Sequence, residues 1–116
     1  MDLYYKSTRN SNLKVTASEA ILKGLAPDGG LFVPEKLPVL EKSMEELKDL
    51  NYQDTAYEVM KCFLTDFTEE ELRNCIEKAY DSKFDDEAIA PLVKVEDTYY
   101  LELFHGATIA FKDMAL

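Results

Sequence analysis

The sequence predicts an α+β protein: a small, mainly helical amino-terminal domain with short strands, giving way to a β-hairpin. Two middle segments carry apolar residues at three-and-four spacing behind Thr-x-x-Glu or similar starts, the mark of amphipathic helices. Short aromatic and β-branched runs lie at the front, and two alternating runs follow Pro91. Composition shifts near Pro91 from acidic helices to strands, which places a domain boundary between residues 1–90 and 91–116.

Bulk composition supports a packed chain. Apolar residues make up 47% and charged residues 31%, enough to fill a core and cover a surface. The formal charge of −10 repels phosphate backbones and anionic lipid, so neither nucleic acid nor a membrane is expected as a partner. No apolar run approaches the roughly 20 residues that span a bilayer. The opening "MDLYYKSTRN" lacks the apolar stretch of a secretory signal, so a cytoplasmic location is expected. Cys62 and Cys75 sit at apolar positions of helical patterns with no Cys-x-x-Cys spacing, which predicts buried free thiols and no metal site.

Taken in order, residues 3–8 (LYYKST) predict a short strand. A helix follows, with Ser18 as its cap, Ala20, Ile21 and Leu25 on its apolar side, and Gly24 as its stop. Pro27-Asp28-Gly29-Gly30 is turn chemistry, and Leu31-Phe32-Val33 is a short extended piece closed by Pro34. This stretch reads as a connecting loop, because a phosphate cradle would need a fuller glycine motif without an aspartate's negative charge. Ser43 and Glu46 make a capping box for a short helix. Residues 52–67 then place apolar side chains at 56, 59, 60, 63, 64 and 67, on one helical face.

Thr68 and Glu71 box the start of the next helix, in which Leu72, Cys75, Ile76, Ala79 and Tyr80 recur on one side. These two helices should pack as an antiparallel hairpin. A single helical turn is expected within residues 84–92, before Pro91. Finally, "LVKVE" and "YYLELF" alternate around Asp97-Thr98 and predict a β-hairpin.

The chemistry-bearing stretch is "LELFHGATIAFKDMAL", residues 101–116. Lys112 stands among Ala107, Ile109, Ala110, Phe111, Met114, Ala115 and Leu116. An amine desolvated by such neighbours is a candidate for covalent chemistry with a carbonyl. The alternative is a lysine that snorkels into water or pairs with Asp113. His105 could likewise act beside an anionic group, or simply end the strand with a hydrogen bond before Gly106.

These same residues resemble the segment that carries the cofactor lysine in threonine synthases, Glu-Leu-Phe-His-Gly-Pro-Thr-x-Ala-Phe-Lys-Asp. "YKSTRN" and "AILKGLAPDGGLFVPEKLP" are similar to that family's two earlier motifs, in the same order. Two departures are Ala107, where the family has proline, and Asn10, where glycine is frequent.

The resemblance implies the tryptophan-synthase-like fold type, with residues 91–116 leading into a cofactor-binding α/β domain. It implies a pyridoxal 5'-phosphate enzyme that converts O-phospho-L-homoserine and water to L-threonine and phosphate. Lys112 then corresponds to the catalytic, cofactor-holding lysine, with Phe111 and Asp113 flanking it at the cofactor. His105, Thr108 and Arg9 are the implied substrate-side residues.

The chain is therefore expected to be the amino-terminal part of such an enzyme, inactive alone, with the remainder of the enzyme chain as its partner. A competing expectation is a non-catalytic interaction module whose acidic helices select basic partners. Exposed Ile109, Phe111, Met114 and Leu116 predict that residues 107–116 fray unless covered.

Overall fold

A computed structural model describes residues 2–116. Its architecture is α+β, with two separate two-stranded antiparallel sheets and four α-helices among the described residues. Strand β1 (Tyr5–Ser7) pairs with β2 (Phe32–Pro34), in the register Tyr5 with Pro34 and Ser7 with Phe32. Between them lies α1 (Ala17–Lys23). Its cap is Thr16 and not Ser18: the Thr16 hydroxyl and Glu19 carboxylate form the reciprocal box. Ser18 instead directs its N–H to the Asp66 carboxylate (3.1 Å), fastening α1 to the loop after α3. A serine offered a carboxylate partner has no need to cap.

The turn between α1 and β2 folds back onto β1. The Ser7 hydroxyl, buried at 2% exposure, donates to Asp28 Oδ1 (2.7 Å), which also accepts the Gly30 N–H (2.9 Å). A Cβ on Gly30 would fall on the Ser7 hydroxyl, so close approach requires glycine here. The Ser7 hydroxyl and the Gly30 N–H hold the Asp28 carboxyl below its ordinary range. The two front motifs thus form one clasped unit.

Helix α2 (Met44–Leu47) is short and boxed by Ser43 and Glu46 as expected. Helix α3 (Tyr52–Phe63) starts at Asn51, whose side chain accepts the Asp54 N–H. It stops at Leu64 and does not reach residue 67, because the linker side chains are engaged elsewhere. Thr65 Oγ1 accepts the Leu3 N–H (2.9 Å), Asp66 holds Ser18, and Thr68 already caps α4 (Glu69–Ala79).

Helices α3 and α4 form the antiparallel hairpin. Near the start of α3, Gln53 donates to the Tyr80 carbonyl beyond the end of α4, and Arg73 pairs with Asp54. The far end of α3 meets the front unit through the Tyr5 hydroxyl, which donates to the Phe63 carbonyl (2.9 Å).

The buried side of α4 is Leu72 and Ile76, continued by Tyr80. Cys75, one position off that line, is exposed, and Cys62 is half-buried; both thiols are free. Burial of both, expected from periodicity, is therefore corrected. Ile76, Tyr80, Phe84 and Ile89 form the core cluster, with Tyr52, Ala56, Tyr57, Met60 and Met114 packed against it.

No helical turn forms over residues 84–90. Asp86 captures the Ala88 N–H with its side chain and the Ile89 N–H with its carbonyl, and Ile89 adopts a positive φ of 62°. That strained β-branched residue is held by near-complete burial, at 1% exposure.

Strands β3 (Leu92–Val95) and β4 (Thr98–Leu101) pair antiparallel about Glu96-Asp97, one residue earlier than expected. Thr98 is drawn into the ladder opposite Val95, and Glu96 takes the positive φ that a two-residue turn demands. Both faces of this hairpin are exposed. No helix among the described residues is long and apolar enough to cross a membrane.

Burial separates two neighbouring residues of α4. Ile76→Ala should cost about 2–5 kcal/mol, whereas Cys75→Ala should stay within about 0.5 kcal/mol. Urea denaturation followed by circular dichroism measures both. Equal losses would contradict this packing.

Candidate functional site

After β4 the chain runs Glu102-Leu103-Phe104-His105 and then turns at Gly106. Two carboxylates from different segments hold His105. Its Nε2 lies 3.0 Å from Glu102 Oε1, and its Nδ1 contacts Asp85 Oδ1. The Asp85 N–H also bonds the His105 carbonyl (3.0 Å), and Phe104 stacks on the imidazole with centroids 4.6 Å apart. The His105 side chain is only 12% exposed. Its pKa is raised, chiefly by Glu102 and then by Asp85, because both stabilise the imidazolium. Of the two readings open to His105, the structure brings out a clamp between the strand end and the 84–90 turns.

Beyond the clamp, residues 106–113 close a tight loop. The Thr108 N–H donates to Asp113 Oδ2 (2.9 Å), and the Thr108 hydroxyl donates to Asp113 Oδ1 (2.6 Å). Gly106 lies against Asp113: a Cβ there would stand 2.5 Å from the Asp113 Cβ. Ile109 has a positive φ of 63°, uncommon for a β-branched residue. A 3-10 helix, Phe111–Met114, follows and carries Lys112.

Lys112 is exposed, as are Ala107, Ile109, Ala110 and Phe111. The expected apolar envelope is thus absent from the chain's own described residues, since the loop turns these side chains outward. The alternative of a pair with Asp113 is not formed either; that carboxylate accepts from the Thr108 N–H and hydroxyl.

The stretch is tethered to the core at Met114. The Tyr80 hydroxyl donates to the Met114 carbonyl (2.6 Å), and Met114 packs on the core cluster. A shallow cavity of about 260 Å³ lies beside this tether, lined by Tyr80, Phe84, Ala107, Asp113 and Leu116 among others. Sequence reasoning missed Tyr80, Asp85 and Glu102 as parts of the site. Tyr80 carried one signal, since a phenol buried by periodicity must find a partner for its hydroxyl, and Glu102 stood at the head of the lysine motif itself.

The sequence-derived residues fall into two groups. His105, Thr108, Phe111, Lys112 and Asp113 lie together in one loop. Arg9 does not join them. Its guanidinium donates to the Asp28 carbonyl (3.0 Å) within the front unit. That unit attaches at the carboxyl end of α3, whereas the lysine loop attaches near its amino end through Tyr80. Twelve helical residues separate those ends, about 18 Å at 1.5 Å per residue.

The geometry defines an α+β unit that ends in a lysine-bearing loop. This is the architecture of the amino-terminal part of solved threonine synthases. The yeast enzyme matches with a TM-score of 0.88 at 35% identity, covering 97% of this chain and 24% of that one. The structure described as PLP-bound threonine synthase from Brucella melitensis matches with a TM-score of 0.83 at 34% identity, over 96% of this chain and 24% of that one. The family model for the threonine synthase N terminus matches residues 4–80.

The chain belongs to the threonine synthase family. The relative from Eremothecium gossypii is 44% identical over 100% of this chain, and that from Saccharomyces cerevisiae 38% over 97%. This chain spans about a quarter of those relatives' length, 24% in each case.

The clamp has a signed pH dependence. Because the folded pKa of His105 is raised, its contribution to stability is full below about pH 6.5, the unfolded value. It is lost as pH rises through the folded pKa. An NMR titration of the single imidazole should give a midpoint above about 6.5, moved down by Glu102→Gln. A midpoint at or below that value would contradict the clamp.

Proposed function

We propose that this chain is the amino-terminal portion of a threonine synthase that uses pyridoxal 5'-phosphate, with Lys112 as the lysine that holds the cofactor. The whole enzyme would convert O-phospho-L-homoserine and water to L-threonine and phosphate. The observation that carries the reading is an exposed amine, without a carboxylate partner among the described residues, inside the family's lysine motif. Such a donor fits an aldehyde cofactor, since an amine condenses with a carbonyl only when it is accessible and not tied up as a paired ammonium. When bound, the cofactor supplies an electron-withdrawing ring that spreads negative charge developing on the substrate carbons.

The chain's own residues do the rest of what is assigned here. Lys112 would hold the cofactor and then, as a free amine, carry protons at Nζ. Phe111 and Asp113 fix the lysine's place in the 3-10 turn. His105 anchors the loop to Asp85 and Glu102, so it acts through position and not through contact with substrate. Thr108 is bound to Asp113 and is assigned to the loop for the same reason. Arg9 sits with the front unit and is not assigned to substrate.

The partner is the remainder of the enzyme chain, and residues 91–116 are this chain's lead into it. It would seat on the exposed Leu92, Tyr99, Leu101, Ile109 and Phe111. Covering them would remove water from around Lys112 and supply the desolvation that this chain lacks on its own. By itself the chain is assigned no turnover.

Incubation with pyridoxal phosphate, borohydride reduction and peptide mapping tests the assignment. Label should concentrate on Lys112 and disappear from that peptide in Lys112→Ala. Preferential labelling of another lysine would contradict it.

A further inference from the structure

His105 presents both ring nitrogens to carboxylates: Nε2 stands 3.0 Å from Glu102 Oε1, and Nδ1 contacts Asp85 Oδ1. An ionised carboxylate only accepts hydrogen bonds, and a neutral imidazole carries a single N–H. Both contacts are therefore hydrogen bonds only while the ring is an imidazolium. Loss of one proton turns one of them into a lone pair facing an anion. Among the described residues these two carboxylates are the charged groups set against the ring, Glu102 on the run out of β4 and Asp85 on the turns of residues 84–90. Phe104 stacks on the ring.

Exposure decides which contact fails. The Glu102 side chain is 26% exposed and the Asp85 side chain 79%. Water can replace the hydrogen bond of a released Asp85, whereas a released Glu102 would be left poorly hydrated. The remaining proton therefore stays at Nε2, on Glu102. The Asp85 N–H, bonded to the His105 carbonyl (3.0 Å), then holds that junction without its side chain. The next residue is Gly106, where the lysine loop begins.

We propose that Asp85 and His105 form a proton-operated latch on the lysine loop: closed on the imidazolium, it opens at Asp85 when the ring gives up its proton, while the Glu102 contact persists. Asp85 is thus a positioning residue, which acts on the loop through His105 and touches no reacting atom. The bearing of the latch on catalysis rests on the reading of Lys112 as the cofactor-holding lysine; the latch itself does not.

Nitrogen NMR of the isotope-labelled chain reads the single imidazole directly. Above the titration midpoint, the two ring shifts should report the tautomer protonated at Nε2. Amide exchange, corrected for intrinsic base catalysis, gives the response of the loop. Protection at the Asp85 and Ile109 amides, which bond the His105 and Gly106 carbonyls, should fall through the midpoint. The fall should be roughly threefold to tenfold, the scale of one partly solvated hydrogen bond to a charged group. The Tyr80 amide, bonded to the Ile76 carbonyl at the end of α4, should show no step.

Asp85→Asn keeps the side chain's shape, and its amide can donate to a bare Nδ1, so it should abolish the step. A merely structural role would instead lower protection at every pH and leave the step in place. A tautomer protonated at Nδ1, unchanged protection through the midpoint, or a step that survives in Asp85→Asn would overturn the proposal. The tautomer measurement decides even if the asparagine variant fails to fold. Failure of pyridoxal phosphate to label Lys112, with the latch behaviour intact, would defeat the cofactor reading and leave the latch standing.

Discussion

Tyr80 joins three parts of this molecule, helices α3 and α4 and the lysine loop. Its ring lies in the core, edge-on to Tyr52 with centroids 4.9 Å apart and tilted against Phe84 at 5.8 Å. Its N–H closes α4 on the Ile76 carbonyl, its carbonyl receives Gln53 from α3, and its hydroxyl holds the Met114 carbonyl. One residue therefore pins both helices and the lysine loop. Partial burial, with Tyr80 beside it, pushes the neighbouring Tyr52 phenol up to about 12. The lysine turn is exposed but still leaves from a fixed point.

Two clasps built on one principle flank that core. In the front unit an aspartate, Asp28, is held by a serine hydroxyl and a glycine N–H. In the lysine loop Asp113 is held by a threonine hydroxyl and a backbone N–H, with Gly106 giving it room. Short polar side chains that satisfy a neighbouring backbone can fix a loop without a large apolar anchor. The two clasps lie at different ends of the helical hairpin, so the motif residues that look alike in chemistry serve different places. Arg9 follows the front clasp and stays away from Lys112.

Much of this was readable from local rules. The Ser43–Glu46 and Thr68–Glu71 boxes, the helical hairpin and the terminal β-hairpin depend on contacts within a few residues, and spacing reveals such contacts. What escaped depended on long-range competition. Ser18 lost its capping role to an aspartate far along the chain, and α3 ended early because Thr65 and Asp66 were claimed by the front unit. Cys75 follows the helical period yet lies just off the buried line, a distinction of one residue that periodicity does not resolve. The site divided the same way. Its lysine, histidine and threonine stood in one motif, while Asp85 and Tyr80, which hold that motif in place, carried no spacing that links them to it.

The Tyr80 hydroxyl is the tie between the carboxyl end of the lysine loop and the core. Hydrogen exchange of Tyr80→Phe tests this most directly, since the ring stays and only the hydroxyl goes. Protection across residues 107–116 should fall while that of the α3–α4 hairpin is retained. Unchanged protection in the loop, or an equal loss in the loop and both helices, would contradict it.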